Sequence, residues 1–181
     1  TWAWYLLGRH PEVADRFRQE LDTVLGGRTP TLTDLAQLTY TRRVVSEVLR
    51  LYPPAWSISR NTIDEDEISG YRIPAGSIVS LCPYTTHRHP EYWTEPARFD
   101  PERFLPTTDA DRPRYAYFPF GGGQRQCIGR EFALMEAQLV LAQIGQRYKL
   151  ELIPGLHVNP DPIFTLRPDR PVWTRVEERR G

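Results

Sequence analysis

Phe120-Gly121-Gly122-Gly123-Gln124-Arg125-Gln126-Cys127-Ile128-Gly129 runs straight into a helical pattern from Arg130 to Tyr148. A glycine-rich loop thus delivers one cysteine to the start of a helix. That position suits a thiolate, because the unpaired N–H groups and positive dipole end of a helix stabilise negative charge. Consecutive glycines let the backbone turn tightly and approach something flat or bulky, since no Cβ stands in the way. The stretch points to a cysteine offered to a large ligand or metal, although a lone cysteine reads about equally well as a small buried hydrophobe. Phosphate binding is disfavoured by spacing. The Walker pattern would need glycine at Gln124 and Ser or Thr after Arg130, and the dinucleotide pattern would need glycine at Gln126.

Working outward, the helix after Cys127 carries two apolar stripes, Phe132, Met135, Leu139, Ala142 and Leu134, Ala137, Leu141, Ile144, Tyr148. Apolar residues on that much of the circumference predict a central helix buried on more than one side. Upstream, a helix over about Tyr40 to Tyr52 is stopped by Pro53-Pro54. Its apolar arc is Val44, Val45, Val48, Leu49, Leu51 and Tyr52, and Glu47 and Arg50 fall on the remaining arc. On periodicity alone, Glu47 and Arg50 read as a surface ion pair worth little.

The rest of the chain supplies scaffolding. A helix-like run from Trp2 to Leu7 ends near His10, and Pro11 opens a second helix with Val13, Phe17, Leu21 and Val24 on one face, ended by Gly26-Gly27. Thr33 is expected to cap a short helix through Leu38. Ile58 to Thr62 reads as a strand and Asp64 to Glu67 as a solvated turn. Tyr71 to Ile73 and Ser77 to Leu81 read as a hairpin around Pro74-Ala75-Gly76. Cys82 is expected to be a buried, inert thiol. His89 to Pro119 is irregular, with helical turns near Pro90 and Pro101, and a segment of that length is unusual unless it is functional or packs as a structured loop. Short strands are expected at Lys149 to Ile153, Ile163 to Leu166 and Val172 to Val176. The fold class is therefore mainly α with small β-sheets, α+β.

The 181 residues suit one domain with a sizeable core. Apolar content of 40% and charge of 25% are ordinary for a globular chain, so disorder is not expected. A net charge of zero argues against nucleic acid as a partner. Two cysteines and four histidines without ligand spacing give neither a disulfide framework nor a zinc site. No run is apolar enough to span a bilayer and no signal peptide is visible. The opening inside a helical pattern, without methionine, reads as a piece of a longer protein.

Three motifs stand in order: Glu47-x-x-Arg50, Pro101-Glu102-Arg103-Phe104, and Phe120-x-x-Gly123-x-Arg125-x-Cys127-x-Gly129. Each of the first two is weak alone, the cysteine loop is strong, and the series resembles the C-terminal part of the cytochrome P-450 family, the haem-thiolate monooxygenases. The resemblance implies one partial domain over residues 1–181 with the haem-thiolate loop at 120–129. It implies haem b (iron protoporphyrin IX) as cofactor, Cys127 as the axial iron ligand, and insertion of one oxygen atom from O2 into a lipophilic substrate. Phe120 would pack beside the cysteine, Gly123 and Gly129 would permit close backbone approach, and nearby N–H groups would donate to the sulfur. Arg125 and Arg60 match positions that pair with haem propionates. Glu47, Arg50 and Arg103 resemble a buried triad that braces the cysteine loop, with a structural role.

By the same resemblance, Ala55, Trp56, Ser57 and Ile58, with Ile163 and Phe164 from the tail hairpin, would approach the substrate. An electron donor, a reductase or ferredoxin, would dock near Arg125 and Arg130 on the proximal face. The family's oxygen-activating acid–alcohol pair is expected upstream, so Thr1 is not assigned that role. Two alternatives stay open: a haem-thiolate peroxygenase or rearranging enzyme, and an inactive truncated product that does not hold haem stably. The visible part is expected to be soluble, and cytoplasmic if no N-terminal anchor precedes it.

Overall fold

The computed structural model describes residues 1–110 and 112–179. Four helices form its core: α1 (Trp2–Arg9), α2 (Pro11–Leu25), α3 (Thr39–Leu51) and α6 (Arg130–Arg147), with two short helices, α4 (Pro83–Thr86) and α5 (Pro106–Asp109), between α3 and α6. Pro11 takes the first turn of α2, where its missing N–H costs nothing, and Gly26 ends the helix in the left-handed region at φ 54°. Leu6, Leu7, Phe17, Leu21, Val44, Val45, Leu51, Leu141 and Ala142 interlock between these helices. Gly145 on α6 lets Phe17 come so close that an added Cβ would lie 2.6 Å from its Cε1. Burial of this size, at roughly 25 cal/mol per Å² of apolar surface, is what holds the helices together.

Several local readings differ from the expectation. The short helix before α3 is a 3-10 turn over Leu32–Ala36 capped by Thr31, because Asp34 three residues on completes a reciprocal capping box that Thr33 could not form. The strands are β1 (Ile58–Asn61), β2 (Asp66–Ile68), β3 (Tyr71–Ile73), β4 (Ile78–Leu81), β5 (Tyr148–Leu152), β6 (Pro160–Pro162), β7 (Leu166–Pro168) and β8 (Thr174–Glu178), all in antiparallel pairs. Pro74-Ala75-Gly76 does not close a β3–β4 hairpin. Instead β3 pairs with β2, so Asp66 and Glu67 are strand, and β4 pairs with β1 in the register Ile58 to Leu81. The hairpin turn is Ser69-Gly70, with φ of 52° and 83°, the geometry that matches strand twist. In the tail, Ile163 and Phe164 form the tip between β6 and β7, and β8 starts at Thr174 and pairs with β5.

The largest difference concerns α6. Only Gln138, Leu141, Ala142 and Gly145 are buried, with Leu134 and Ala137 partly covered, while Phe132 is 64% exposed and Val140 is also open. One stripe packs on α2 and α3; the helix is not buried on a second side within this chain. Among the described residues, no helix is long and apolar enough to cross a membrane.

The segment from His89 to Pro119 follows the surface of α3. It forms 3-10 turns at Pro101–Phe104 and Arg114–Ala116, and it buries Trp93 and Phe99. Two anchors fix it: Trp93 Nε1 donates to Ala116 O at 3.2 Å, and Asp100 caps the Pro101 turn through Glu102 N.

Candidate cofactor site

The cysteine loop owes its shape to glycines. Gly121 and Gly123 have φ of 72° and 66°, a region that a side chain would strain. Gly122 is extended, but a Cβ there would lie 2.7 Å from Tyr115 Cε1, so the close approach falls at Gly122. Gly129, with φ −83°, caps α6; a Cβ there would meet Cys127 Sγ at an ordinary 3.8 Å, and one at Gly123 would meet nothing. The loop is cross-tied by Cys127 N–H to Phe120 O at 2.9 Å and by Gly121 N–H to Phe118 O at 3.0 Å. The Cys127 side chain is exposed, and no N–H donates to its sulfur among the described residues. Here the geometry differs from the expected N–H···S contacts: the Cys127 amide turns back on Phe120, and the sulfur is left facing outward.

Cys127 opens onto a cleft of about 510 Å³. One wall is apolar: Val45, Val48 and Leu49 from α3, Ala133, Ala137 and Val140 from α6, and Ala3 and Trp4 from α1. Pro54, Ala55, Ile58 and Arg60 descend from the proline break, and Phe120, Gly121 and Arg125 come from the loop. The structure thus brings Cys127, Phe120, Arg125, Arg60, Ala55 and Ile58 to one cleft. Trp56 and Ser57 lie outside its lining, and so do Gly123 and Gly129. Ile163 and Phe164 are 67% and 91% exposed, although Leu166 N–H donates to Pro54 O at 3.0 Å and ties their hairpin beside Ala55. Arg125 forms no ion pair among the described residues, and Arg60 donates only to the carbonyl of Ser59, at 2.8 Å. Cys82 is half-buried with its thiol donating to Trp56 O at 3.2 Å, away from the cleft.

Behind the loop lies a polar brace. Glu47 and Arg50 on α3 are 0% exposed. Arg50 Nε donates to Glu47 Oε2 at 2.6 Å and Nη2 donates to Oε1 at 2.8 Å. The remaining guanidinium N–H groups reach His87 O and Pro96 O, both at 2.8 Å, and Arg98 O at 3.0 Å. All five donors are therefore used, and the guanidinium stands 4.9 Å from the Trp93 ring. Asp100 N–H adds a bond to Glu47 Oε1 at 2.8 Å. Arg103 closes the group as an ion pair, its Nε 3.6 Å from Glu47 and its Nη2 donating to Glu95 O. Burial pushes the Glu47 carboxyl up, against the hydrogen bonds from Arg50.

Two braces were not legible beforehand. His87 is fully buried: its Nε2 accepts Phe118 N–H at 2.9 Å and its Nδ1 meets Arg50 O at 3.3 Å. Tyr117 OH donates to Ser46 O at 3.0 Å. No periodic signal marks either residue; the one available hint was Pro83 opening a short helix just before His87.

The fold and the cleft define a protein that offers a thiol, with two arginines, to one largely apolar cleft. The chain belongs to the cytochrome P450 family, whose model matches residues 1–174. It is 46% identical to cyclooctatin synthase of Streptomyces melanosporofaciens over 92% of this chain and 36% of that protein. Against cyclooctat-9-en-7-ol 5-monooxygenase of the same organism it is 44% identical over 86% of this chain and 34% of that protein. Against pentalenene oxygenase of Streptomyces avermitilis the identity is 38%, over 99% of this chain and 40% of that protein. The chain therefore spans little more than a third of the length of these relatives.

The family implies haem, and the residues fit one. An exposed thiol, apolar walls lined by small Ala133 and Ala137, and two lining arginines without carboxylate partners among the described residues suit a flat apolar macrocycle with two anionic arms.

Proposed function

We propose that this chain is the haem-binding C-terminal part of a monooxygenase, with Cys127 as the axial iron ligand of haem b. The observation that carries the reading is the convergence of the exposed Cys127 thiol, Arg125 and Arg60 on one apolar cleft. Thiolate-ligated haem, when bound, supplies the activation of O2 that lets one oxygen atom enter an organic substrate.

The chain's own residues would hold and orient that group. Arg125 and Arg60 offer forked donors to the propionates, from opposite supports: the cysteine loop and β1. Val45, Val48, Ala133, Ala137 and Val140 exclude water from the macrocycle face, and low polarity there strengthens every charge interaction at the thiolate. The left-handed Gly121 and Gly123 aim the loop so that Cys127 Sγ faces the cleft. Glu47, Arg50 and Arg103 hold the surrounding segments in place without touching reactants. The residues at 55–58 and at the tail tip, Ala55, Trp56, Ser57, Ile58, Ile163 and Phe164, would line the approach of a small lipophilic substrate. Three relatives are named as oxygenases, monooxygenases or synthases, which supports the class of reaction.

Electrons would arrive from a reductase or ferredoxin on the other side of the loop. There a groove of about 890 Å³ is lined by Arg42, Arg43, Arg114 and Arg130 together with Gly121, Gly122, Gly123 and Gln126. Arg43 and Arg130 are ion-paired with Glu102 and Glu131, so the charge offered to an acidic partner would come chiefly from Arg42 and Arg114.

The test is spectroscopic. The full-length protein, reduced under carbon monoxide, is expected to show the red-shifted Soret band of thiolate ligation and to lose it in Cys127→Ser. An unchanged band in that variant would overturn the assignment.

A further inference from the structure

His87 and Phe118 are joined by a hydrogen bond whose direction is fixed by chemistry. The Phe118 amide can only donate, so the His87 Nε2 that it meets at 2.9 Å is the unprotonated ring nitrogen. The other ring nitrogen, Nδ1, faces the Arg50 carbonyl at 3.3 Å, and a carbonyl can only accept. The partners therefore select the neutral Nδ1–H tautomer. The ring is fully buried, held at 5.2 Å from the Tyr117 ring and edge-on to Phe118 at 5.3 Å. The same residue's carbonyl accepts from Arg50 Nη1 at 2.8 Å, so His87 is tied to the brace through backbone and side chain together.

From Phe118 the linkage reaches the cysteine in two steps. Phe118 O accepts Gly121 N–H at 3.0 Å, and Phe120 O accepts Cys127 N–H at 2.9 Å. A rigid ring thus bridges the end of α3 to the strand of chain that starts the cysteine loop. The two contacts span 37 and 31 residues in sequence. We infer that His87 is a positioning residue for Cys127: as a neutral Nδ1–H imidazole it accepts the Phe118 amide and thereby sets the register of the cysteine loop on α3. This rests on reading Cys127 as the iron ligand, but the linkage itself belongs to the protein alone.

Burial pushes the His87 ring down to about 3, with the Arg50 and Arg88 guanidiniums acting in the same direction, which keeps it neutral across the working range. Two isosteres separate ring packing from hydrogen bonding. Phenylalanine keeps the ring and removes both nitrogens. Glutamine can place Oε1 near the position of Nε2 and accept Phe118 N–H.

Two haem-independent measurements on the full-length protein test the inference. Ring nitrogen NMR of the wild type should show His87 as the neutral Nδ1–H tautomer; a proton on Nε2 at neutral pH overturns it without any variant. Native-state hydrogen exchange over residues 117–129 should accelerate about tenfold or more in His87→Phe, as expected when a buried amide loses its acceptor. His87→Gln should return it toward the wild-type rate. Unchanged exchange in His87→Phe overturns the inference, and so does a His87→Gln protein that folds yet exchanges like His87→Phe. In the reduced, carbon monoxide-bound protein, His87→Phe should convert part of the thiolate band to the form without thiolate, and His87→Gln should restore it. If Cys127→Ser left the thiolate band intact, the ligand assignment would fall while the tautomer and exchange results still reported on the linkage.

Discussion

The buried pair of Glu47 and Arg50 gives a quantitative test of the brace. Glu47→Gln removes one charge and turns an amide N–H toward a guanidinium that is 0% exposed. Breaking a buried ion pair from one side costs about 3–5 kcal/mol, because the remaining charge has no water to return to. Arg50→Met should cost more than Glu47→Gln, since it also strands the carbonyls of His87, Pro96 and Arg98. Those carbonyls are stranded equally in the double variant, so they cancel in a double-mutant cycle and leave the pair itself. The double variant is therefore expected to be more stable than the sum of the singles implies, by about 1–3 kcal/mol. Urea unfolding of the haem-free, full-length protein measures this, with Trp93 fluorescence as a local reporter 4.9 Å from the guanidinium. Single costs below about 1 kcal/mol, the range of an exposed pair, would refute the reasoning, as would strict additivity.

Acid should expose the His87 linkage. Between its ordinary value of 6.5 and its folded value of about 3, the unfolded chain binds a proton at His87 that the folded chain does not. Stability from this group is therefore intact above 6.5 and falls by about 1.4 kcal/mol per pH unit below it, levelling off near the folded value. His87→Phe should lack that component of the slope in haem-free denaturation curves, and an identical slope would contradict it. Gly145→Ala should cost about 1–3 kcal/mol by overpacking, because its Cβ would stand 2.6 Å from Phe17 Cε1 and 3.1 Å from Leu21 Cδ1. Adding Phe17→Leu should recover part of that loss in thermal melts; no recovery would mean that the strain lies elsewhere. Arg125→Gln and Arg60→Gln should each speed haem transfer to an acceptor protein, about tenfold for the loss of one charge-assisted hydrogen bond. Equal transfer rates in wild type and variants would remove the propionate role.

What the sequence made legible follows from what periodicity and turn chemistry report. Pro11 and Gly26 bracket α2 because each acts through its own backbone, and the apolar arc of α3 is visible because burial recurs along one helix. The cysteine loop could be read because its chemistry is concentrated in ten consecutive residues. Pairings across the chain were harder. Pro74-Ala75-Gly76 carries a turn signal but joins two different sheets, and the hairpin belonged to the less conspicuous Ser69-Gly70. Glu47 and Arg50 illustrate the deeper difficulty. Charges off the apolar arc look solvated until a second segment covers them, and that cover, from His87 to Asp100, has no periodicity from which to predict its course. His87 is the extreme case: its two partners are set by tertiary structure alone. The second apolar stripe of α6 reverses the problem. Of the stripe Leu134, Ala137, Leu141, Ile144 and Tyr148, Ala137 and Leu141 front the proposed cofactor cleft, and Ala133 and Val140, which belong to neither expected stripe, complete the helix's share of its lining. Hydrophobic periodicity tells that a face is dry; it does not tell what dries it.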